Sequence, residues 1–207
     1  TEYPFSWYSI LAYSRLHEES PKRAKRFLNA DLQALGAQGL SFMNSANASS
    51  DPIWLLASEL SRLGLSTPAW RVLRRAELKE SATLWRAAVL LDAAGAYPLS
   101  HNILRRRLES YRKSSPLGAN REAWTVAFPE PFADLIKTKS KVVGIPPGLA
   151  RSIMREESGF NAGIESSANA VGLMQLIVPT ARHMAKGTGI PATRQTLRRP
   201  DFNVTLG

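Results

Sequence analysis

Apolar residues recur every three or four positions along the first part of the chain, which is the period of an amphipathic helix. Residues 5–16 predict one such helix. A second, more basic helix is predicted from Pro21 to Gly36 or Gly39, because proline suits a first helical turn and glycine a helix end. Residues 41–50 are rich in Ser, Asn and Ala, lack this period, and predict a loop.

An internal repeat follows at an offset of 31 residues. Trp54 matches Trp85, Gly64 matches Gly95, and each unit has the order helix, glycine turn, helix, with a proline near the start of its second helix. Units of this kind stack around a continuous core, so the repeat predicts an α-superhelical region. The two tryptophans are predicted to pack in that core, and a sugar-binding platform is the alternative.

The alternation of apolar and polar positions that strands need is missing along the whole chain, so the predicted fold class is all-α. Residues 114–118, with the sequence Ser-Ser-Pro-Leu-Gly, are the best candidate for a domain boundary. They divide the chain into residues 1–116, the helical-repeat region, and residues 117–207, which hold the candidate chemistry.

The candidate chemistry lies on a short helix that starts with two prolines and ends before Gly159. Glu157 shares one face of this helix with three apolar neighbours, which are Ala150, Ile153 and Met154. A carboxyl held against apolar side chains resists ionisation and can keep a proton near neutral pH, as a general acid must. The spacing therefore predicts Glu157, rather than Glu156, as the buried carboxyl.

The same spacing allows a plainer interpretation. Charged residues near a helix end are usually exposed, so Arg155, Glu156 and Glu157 could form an ordinary solvated helix end. On spacing alone, this interpretation is favoured. The residues that follow the helix change that balance.

A set of residue types at fixed offsets follows this helix. It reads Glu157-Ser158-x-Phe160-Asn161, then Ser166-x-Ala168-x-Ala170-x-Gly172-Leu173-Met174-Gln175-Leu176, then Thr180-Ala181. The set resembles the signature of the soluble lytic murein transglycosylase family, whose SLT catalytic domain is goose-lysozyme-like. It is far more specific than a lone short motif.

The resemblance implies a role for each matched residue. Glu157 would be the catalytic acid. Five residues would bind substrate along the sugar groove, and they are Ser158, Ser166, Gly172, Met174 and Gln175. Gly172 would allow a close approach of backbone, because glycine has no Cβ. No metal and no cofactor are implied.

Three positions depart from the family pattern. Asn169 stands where the family usually has glycine, and asparagine tolerates the left-handed conformation better than most residues. Pro179 comes one position late, so the loop before the next helix could differ. Glu165 falls where the family tends to be apolar, and we expect it to face water rather than the site.

The family's catalytic domain continues with a Tyr-Asn-Ala-Gly motif, which is not found in this sequence. The resemblance therefore predicts that residues 117–207 are the N-terminal part of the SLT domain, truncated at the C-terminus. With one wall of the groove missing, the chain would be loosely ordered after Gly159 and inactive by itself.

Composition limits the other possibilities. The chain has 207 residues, 44% hydrophobic and 21% charged, as in a soluble globular protein of one or two domains. It has no cysteine, which excludes disulfides and thiolate metal sites, and no apolar run of membrane-spanning length. The histidines lack metal-ligand spacing, and we predict that they are surface or capping residues: His17, His101 and His183.

The net charge of +10 indicates an acidic partner. Nucleic acid is one such partner, and the bacterial cell wall, whose stem peptides carry carboxylates, is another. Basic residues are scattered along the chain, and no nucleic-acid-reading module is recognisable. The predicted partner is therefore peptidoglycan and not nucleic acid.

By the resemblance, the protein cleaves the β-1,4 bond between N-acetylmuramic acid and N-acetylglucosamine and leaves 1,6-anhydromuramic ends. It would act in the periplasm or cell envelope of a bacterium. Peripheral contact with the envelope is compatible with this resemblance, and no oligomeric state is predicted. One alternative is a non-catalytic peptidoglycan-binding or helical scaffold protein, which needs no acid. Another is a nucleic-acid-binding helical repeat, which would account for the charge alone.

Overall fold

The computed structural model describes residues 7–36, 51–114 and 116–207. Within these ranges the protein is helical and forms no strand, and Val171 makes two isolated antiparallel bridges, to Glu165 and to Leu176. The predicted all-α fold class is confirmed. The loop predicted over residues 41–50 lies outside the described ranges. No helix in those ranges combines the length and the apolar character needed to cross a bilayer.

The chain packs as two compact units. The first runs through Ala96 and continues over Ser100–Phe128, and the second comprises Pro129–Gly207 with Tyr97–Leu99. The division after Phe128 falls later than the boundary predicted at residues 116 and 117.

An aromatic cluster accounts for the later division. Trp124 lies edge-on to Tyr111, with ring centroids 5.4 Å apart, and stacks on Phe128 at 5.2 Å. These rings hold residues 117–128 in the first unit. A functional domain over residues 117–207 stays a prediction.

The helices as far as Arg107 fall where the apolar period and the repeat predict them, and the helix at Arg121–Ala127 was not predicted. In chain order they are α1 (Trp7–Glu19), α2 (Pro21–Gly36), α3 (Pro52–Arg62), α4 (Ser66–Leu73), α5 (Ser81–Ala93), α6 (Tyr97–Arg107) and α7 (Arg121–Ala127). Short 3₁₀ turns lie at Glu109–Lys113 and Gly118–Asn120.

The internal repeat is present as two matching pairs of helices, α3 with α4 and α5 with α6. Gly64 and Gly95 form the two turns with nearly equal φ angles of 69° and 70°. In each turn the next N–H bonds back to the end of the first helix, at 2.9 Å and 2.8 Å. Pro68 and Pro98 lie in the first turns of α4 and α6. The predicted repeat is confirmed, because the same glycine-based helix end is built twice.

The repeat places both predicted tryptophans in the core of the first unit. Trp54 and Trp85 are 6% and 2% exposed. The Arg86 guanidinium lies over the Trp54 ring at 4.6 Å, and Tyr111 meets Trp85 edge-on at 6.0 Å. The interpretation of the two tryptophans as packing residues is confirmed.

The helices of the second unit are short and surround two clusters of buried apolar side chains. The helices are α8 (Ala133–Val143), α9 (Pro147–Ser158), α10 (Val178–Met184), α11 (Arg194–Leu197) and α12 (Pro200–Leu206). The first cluster contains Ile136, Ala150, Met154, Phe160, Leu173 and Val204, and the second contains Val171, Ala181, Ala192, Leu197 and Leu206. The segment after Gly159 is therefore packed in the structure, contrary to the expectation that it is loosely ordered.

The histidines are only partly as predicted. His17 and His183 are exposed, whereas His101 is buried on α6. The prediction for His101 is wrong because His101 lies on the face of α6 that also buries Ser100 and Leu104.

Candidate active site

Helix α9 presents Glu157 close to its C-terminal end. Pro147 occupies the first turn, where the missing N–H is not needed. Gly159 ends the helix in the left-handed conformation, at φ 54°, and donates its N–H to the Arg155 carbonyl at 3.2 Å. The predicted helix and both of its ends are confirmed.

The Glu157 side chain is exposed, so its predicted burial is wrong. Helix α9 buries Ala150, Met154 and Ser158, which lie four residues apart. Glu157 lies about 100° round the helix from Ser158. It is on the side of Ile153, which is itself 38% exposed. The buried face of α9 therefore ends with Ser158, whereas the sequence predicted that it ends with Glu157.

The two adjacent carboxylates of α9 differ in their partners. Glu156 accepts a hydrogen bond from Nη1 of Arg155 at 3.0 Å and forms an ion pair with it. In the described part of the chain, no hydrogen bond or ion pair engages the Glu157 carboxylate. Of the two, Glu157 is therefore the carboxylate without a partner, and its role as the acid stays a prediction.

The Ser158 hydroxyl is buried and is used at the helix end. It donates to the Met154 carbonyl at 2.8 Å and accepts from the Phe160 N–H at 3.2 Å. These two bonds fix the turn that follows Glu157. The Ser158 hydroxyl therefore already has partners within the chain. Its direct contact with substrate stays a prediction.

Residues 164–176 form a tight loop, which we call the 164–176 loop. The Ser166 hydroxyl accepts from the Ala170 N–H at 3.1 Å. Asn169 takes a φ of 61° and donates its N–H to the Ser166 carbonyl at 2.9 Å. The expectation that Asn169 adopts the left-handed conformation is confirmed.

Gly172 lies where the chain comes too close for any side chain. Its φ is 80°, and a Cβ there would overlap the Leu197 carbonyl oxygen and the Asn203 side-chain amide. The close backbone approach predicted for Gly172 is therefore found, and it is an approach to the protein's own chain. Only glycine fits this position without moving its neighbours.

Asn203 is fully buried on α12 and satisfies three backbone groups. Its Oδ1 accepts from the Met174 N–H at 2.7 Å, and its Nδ2 donates to the carbonyls of Val171 at 2.9 Å and Leu197 at 2.8 Å. A buried amide with these bonds made fixes the backbone around it. Asn203 therefore holds the 164–176 loop at the position of Gly172.

Met174 and Gln175 are half-buried on the same loop. The Met174 side chain packs against the cluster that contains Leu173. Gln175 takes a φ of 47°, and its Nε2 donates to the Gly172 carbonyl at 2.9 Å. A left-handed residue other than glycine costs about 1–2 kcal/mol, and such strain is often found at functional sites.

Glu165 is half-buried and ion-paired with Arg194 and Arg198, the latter at 2.8 Å. Arg194 also donates to Oδ1 of Asn169 at 2.8 Å. The expectation that Glu165 faces water is wrong, because the two guanidinium groups come from the segment around α11, far along the sequence. Glu165 is neutralised and does not form a second free carboxylate.

All six predicted site residues lie in the second unit. Glu157 and Ser158 end α9, and the other four lie on the 164–176 loop. The helix end and the loop are joined through the core, since Met154, Phe160 and Leu173 belong to one buried cluster. In the described ranges, no group of three or more His, Cys, Asp or Glu residues could hold a metal ion.

Sequence reasoning missed Asn203 and the two arginines that bind Glu165. Asn203 carries a weak local signal, because it is a polar residue beside Val204 and Leu206 on an otherwise apolar helix face. Arg194 and Arg198 carry the helical spacing of four residues that puts two side chains on one face, but nothing local names their partner.

Known proteins match the part of the chain that holds the candidate site. Residues 134–207 match the family model of the Transglycosylase SLT domain, and this stretch includes all six predicted site residues. The soluble lytic murein transglycosylase of Escherichia coli K12 is 35% identical over 82 residues, which are 39% of this chain and 13% of that protein. The membrane-bound lytic murein transglycosylase C of Glaesserella parasuis is 38% identical over 79 residues, which are 37% of this chain and 22% of that protein.

Solved structures extend the similarity to nearly the whole chain. An inactive mutant of the lytic transglycosylase Slt from Pseudomonas aeruginosa aligns with 98% of this chain and 32% of its own, at 25% identity and a TM-score of 0.57. The 70-kDa soluble lytic transglycosylase of Escherichia coli shares the fold over 95% of this chain and 34% of its own, at 22% identity and a TM-score of 0.56. The chain thus spans about a third of these structures and a smaller part of its curated relatives.

The structure is an all-α protein with helical repeats in its first unit, and residues 134–207 match the SLT domain model. The resemblance to the soluble lytic murein transglycosylase family is confirmed.

Proposed function

We propose that this protein is a lytic transglycosylase that cleaves peptidoglycan strands, with Glu157 as its acid. One observation carries the proposal. Three carboxylates lie in or next to the candidate site in the sequence, Glu156, Glu157 and Glu165, and in the described part of the chain Glu157 alone among them is unpaired. Arg155 neutralises Glu156, and two arginines neutralise Glu165.

The proposed reaction uses two proton transfers and exchanges one C–O bond for another. Glu157 in its acid form protonates the oxygen between N-acetylmuramic acid and N-acetylglucosamine, and the bond from that oxygen to C1 of the muramyl sugar breaks. The neighbouring acetamido group stabilises the positive charge at C1. The C6 hydroxyl then bonds to C1 and gives its proton to the Glu157 carboxylate. The product is a 1,6-anhydro sugar, and the acid is restored without water.

A single acid suits the neighbouring charges. Glycosidases that hydrolyse their substrates generally use two carboxylates that flank the scissile bond. Both other carboxylates near Glu157 in the sequence have arginine partners, Glu156 with Arg155 and Glu165 with Arg194. A mechanism in which one glutamate acts first as acid and then as base needs no further carboxylate.

The substrate-binding residues divide into two groups under this proposal. Ser166, Met174 and Gln175 are the candidates for direct sugar contact. Ser158 and Gly172 are inferred to position the site, because the Ser158 hydroxyl and the space beside Gly172 already have partners within the chain. This division can be tested residue by residue.

Because the Glu157 side chain is exposed, the bound substrate would have to shield it from water. A glycan strand that lies over the carboxylate would exclude water from it. Carboxyl groups shielded from water hold a proton more readily, so the bound strand would help to create the acid that cleaves it.

The proposed substrate lies in the periplasm or cell envelope of a bacterium, and we infer that the protein acts there. Residues 117–207 would form the catalytic region, and residues 1–116 the helical-repeat region. Proton transfer by one carboxylate requires no metal and no cofactor. Peptidoglycan strands are the partner, and nucleic acid is not.

A protein that binds peptidoglycan without cleaving it is the second candidate. The exposed position of Glu157 favours this candidate, since a binding protein needs no shielded acid. A nucleic-acid-binding repeat remains as a third interpretation of the charge alone, and it would show salt-dependent affinity for DNA with none for peptidoglycan.

Substitution of the proposed acid tests the function directly. The full-length protein and its Glu157→Gln variant are incubated with sacculi, and released muropeptides are measured by mass spectrometry. We expect the variant to keep its thermal melt and to lose release of anhydromuropeptides by about 10²- to 10⁴-fold. Glu156→Gln, which removes the paired neighbour, is the matched control and should keep activity.

Each other outcome has a distinct meaning. Undiminished release by Glu157→Gln would remove Glu157 from the mechanism, and loss in Glu156→Gln alone would bring Glu156 forward. Hydrolysed rather than anhydro ends would mean that water attacks C1. Binding to sacculi with no release by the unsubstituted protein would support the non-catalytic candidate.

A further inference from the structure

Helices α8 and α9 pack against each other, and the turn that joins them carries a run of apolar residues without a role in the proposed reaction. Residues 142–149 read Val-Val-Gly-Ile-Pro-Pro-Gly-Leu and contain no polar side chain. All of them except Pro147 are exposed, Val142 by 79% and Val143 by 66%. Runs of three or four exposed consecutive apolar residues are avoided unless they serve a function. We call residues 142–149 the hairpin tip.

The backbone of the hairpin tip is fixed, although its side chains are uncovered. Helix α8 buries Ile136 and Ser140, and Val143 continues their helical spacing but lies outside the core cluster that contains Ile136. The helix ends at Gly144, which has a φ of 73°. Ile145 then donates its N–H to the Ser140 carbonyl at 3.1 Å, which closes the helix end. The hairpin tip is therefore an ordered surface made of aliphatic side chains.

Positive charge borders the hairpin tip on α8. Residues 135–154 include three lysines and one arginine and no acidic residue. Arg151 is neutralised by Glu130. In the described part of the chain the lysines have no ion pair, and they are Lys137, Lys139 and Lys141. Exposed aliphatic side chains and uncompensated ammonium groups thus occur together at this end of the hairpin.

This combination distinguishes the surfaces that could cover the hairpin tip. A second copy of the same tip would bring its own lysines against these three, and like charges that face each other oppose association. A nucleic acid would attract the lysines but would offer nothing apolar to the valines. A bilayer that contains anionic lipids suits both, because its headgroups attract lysines and its acyl boundary accepts aliphatic side chains.

We propose that the hairpin tip docks on an anionic lipid bilayer. Val142 and Val143 enter the boundary between headgroups and acyl chains, and Lys137 and Lys141 contact the lipid phosphates. The contact is peripheral, and it requires no helix that crosses the bilayer. The proposal goes beyond the proposed function and does not depend on it, because docking on lipid involves neither Glu157 nor a glycan strand.

Flotation with lipid vesicles tests the proposal in the absence of peptidoglycan. The full-length protein is mixed with vesicles of equal parts phosphatidylglycerol and phosphatidylcholine, or with vesicles of phosphatidylcholine alone. We expect the protein to float with the anionic vesicles only. Added salt should release it, because salt screens the attraction between lysines and anionic headgroups. Absence of flotation at low salt, or equal flotation with both kinds of vesicle, would overturn the proposal.

Two double variants separate the charged from the apolar part of the contact. Lys137→Gln with Lys141→Gln should weaken partitioning onto the anionic vesicles by about 10- to 30-fold, since each lysine near such a surface contributes about fivefold. Val142→Thr with Val143→Thr keeps the shape of both side chains and should weaken partitioning by about tenfold, because buried methyl groups are replaced by hydroxyls. Full binding by the threonine variant would show that the valines do not enter lipid.

Matched controls separate the hairpin tip from the rest of the surface. Lys22→Gln with Lys25→Gln removes the same charge from α2, where both lysines are exposed, and should weaken partitioning by less than about twofold. Leu55→Thr with Leu56→Thr changes an adjacent pair on α3 that is 53% and 50% exposed, and it should have no effect. Equal weakening by the two lysine pairs, or by the two aliphatic pairs, would overturn the proposal.

A dye at the hairpin tip distinguishes lipid from a second copy of the protein. Val143→Cys is labelled with an environment-sensitive dye. Its emission should shift to the blue when anionic vesicles are added, and it should not change with protein concentration when lipid is absent. A blue shift that follows protein concentration without lipid would mean that a second copy covers the hairpin tip, and would overturn the proposal.

Discussion

The two compact units place left-handed backbone on different residues. In the described part of the first unit, glycines alone take positive φ, and they are Gly64, Gly95 and Gly118. In the second unit, four other residues also do so, and they are Phe132, Phe160, Asn169 and Gln175. The first unit therefore builds its turns without strain, whereas the second accepts strain at several positions.

Most of the strained residues of the second unit lie in one stretch of the chain. Phe160, Asn169 and Gln175 lie within the stretch that holds the candidate site. Conformations of this kind persist only when the surroundings over-determine them. Here the surroundings include the buried amide of Asn203 and the ion pairs of Glu165, which fix the loop from outside.

Buried polar groups show the opposite contrast. The Asn203 amide in the second unit is bonded at both of its polar atoms. In the first unit, Ser61 and Asp92 occupy equivalent positions of the repeat, and each has a buried oxygen with no hydrogen-bond partner in the described ranges. The repeat therefore leaves two buried oxygens without partners, whereas the Asn203 amide that holds the 164–176 loop is fully bonded.

The largest effect is expected where apolar packing is removed from the repeat. Trp85→Ala should lower the free energy of unfolding by about 3–5 kcal/mol, because a large buried aromatic side chain leaves a cavity. Trp54→Ala should cost a similar amount, and Leu55→Ala, on the same helix as Trp54 but 53% exposed, should cost less than about 1 kcal/mol. Urea unfolding of the three variants measures these differences.

A different result would change the role of the tryptophans. If Trp54→Ala or Trp85→Ala unfolds like the unsubstituted protein but no longer binds peptidoglycan, the residue contributes to a sugar platform. Hydrogen exchange should locate the loss of protection in the first unit, where both side chains are buried.

The second effect concerns the close approach in the site unit. Gly172→Ala should lower the free energy of unfolding by about 2–4 kcal/mol, because its Cβ would overlap Leu197 and Asn203 and its φ is unfavourable for alanine. Gly163→Ala is the matched control in the same region, since a Cβ there would make one ordinary contact, with Asn161 at 3.6 Å. Chemical unfolding together with hydrogen exchange of the 164–176 loop provides the measurement.

The prediction for Gly172 has a clear contradiction. If Gly172→Ala is as stable as Gly163→Ala, the loop can move away from Leu197 and Asn203 at little cost. The description of a loop fixed from outside would then be wrong.

The fold was largely predictable because its signals are local. The helices of the repeat follow from apolar period, and their ends follow from glycine and proline, as at Gly64 and Pro98. The helix that carries Glu157 follows from the same rules at Pro147 and Gly159. These features depend on residues a few positions apart, which a sequence displays directly.

The surroundings of the candidate site were less predictable because they depend on distant residues. Which side of α9 is buried is decided by tertiary packing, and the choice between Glu157 and Ser158 is a shift of one position. Glu165 meets arginines 29 and 33 positions away, and Asn203 reaches Val171 across 32. The spacing of neighbouring residues in the sequence does not predict such contacts.

The smallest expected effect probes the unsatisfied carboxylate of the repeat unit. Burial raises the pKa of Asp92 from 3.8 to about 6, because the charged form loses water and gains no hydrogen bond at Oδ1 in the described ranges. The folded state therefore binds the proton more tightly than the unfolded state does. The contribution of protonated Asp92 to the free energy of unfolding is therefore fully present below about pH 4. It is lost as the pH rises through about 6.

Asp92→Asn removes this charge and nearly preserves the shape of the side chain. The substitution should raise the free energy of unfolding by about 1 kcal/mol at pH 7.5 and change it little at pH 4. The expected gain is small because the carboxylate is partly exposed and screened by solvent. Ser61→Ala, at the equivalent position of the repeat, is the uncharged control, and its effect should not depend on pH. Thermal melts at the two pH values decide the matter. An Asp92→Asn variant with the same gain at both would mean that the buried oxygen, rather than its charge, limits the stability of the repeat unit.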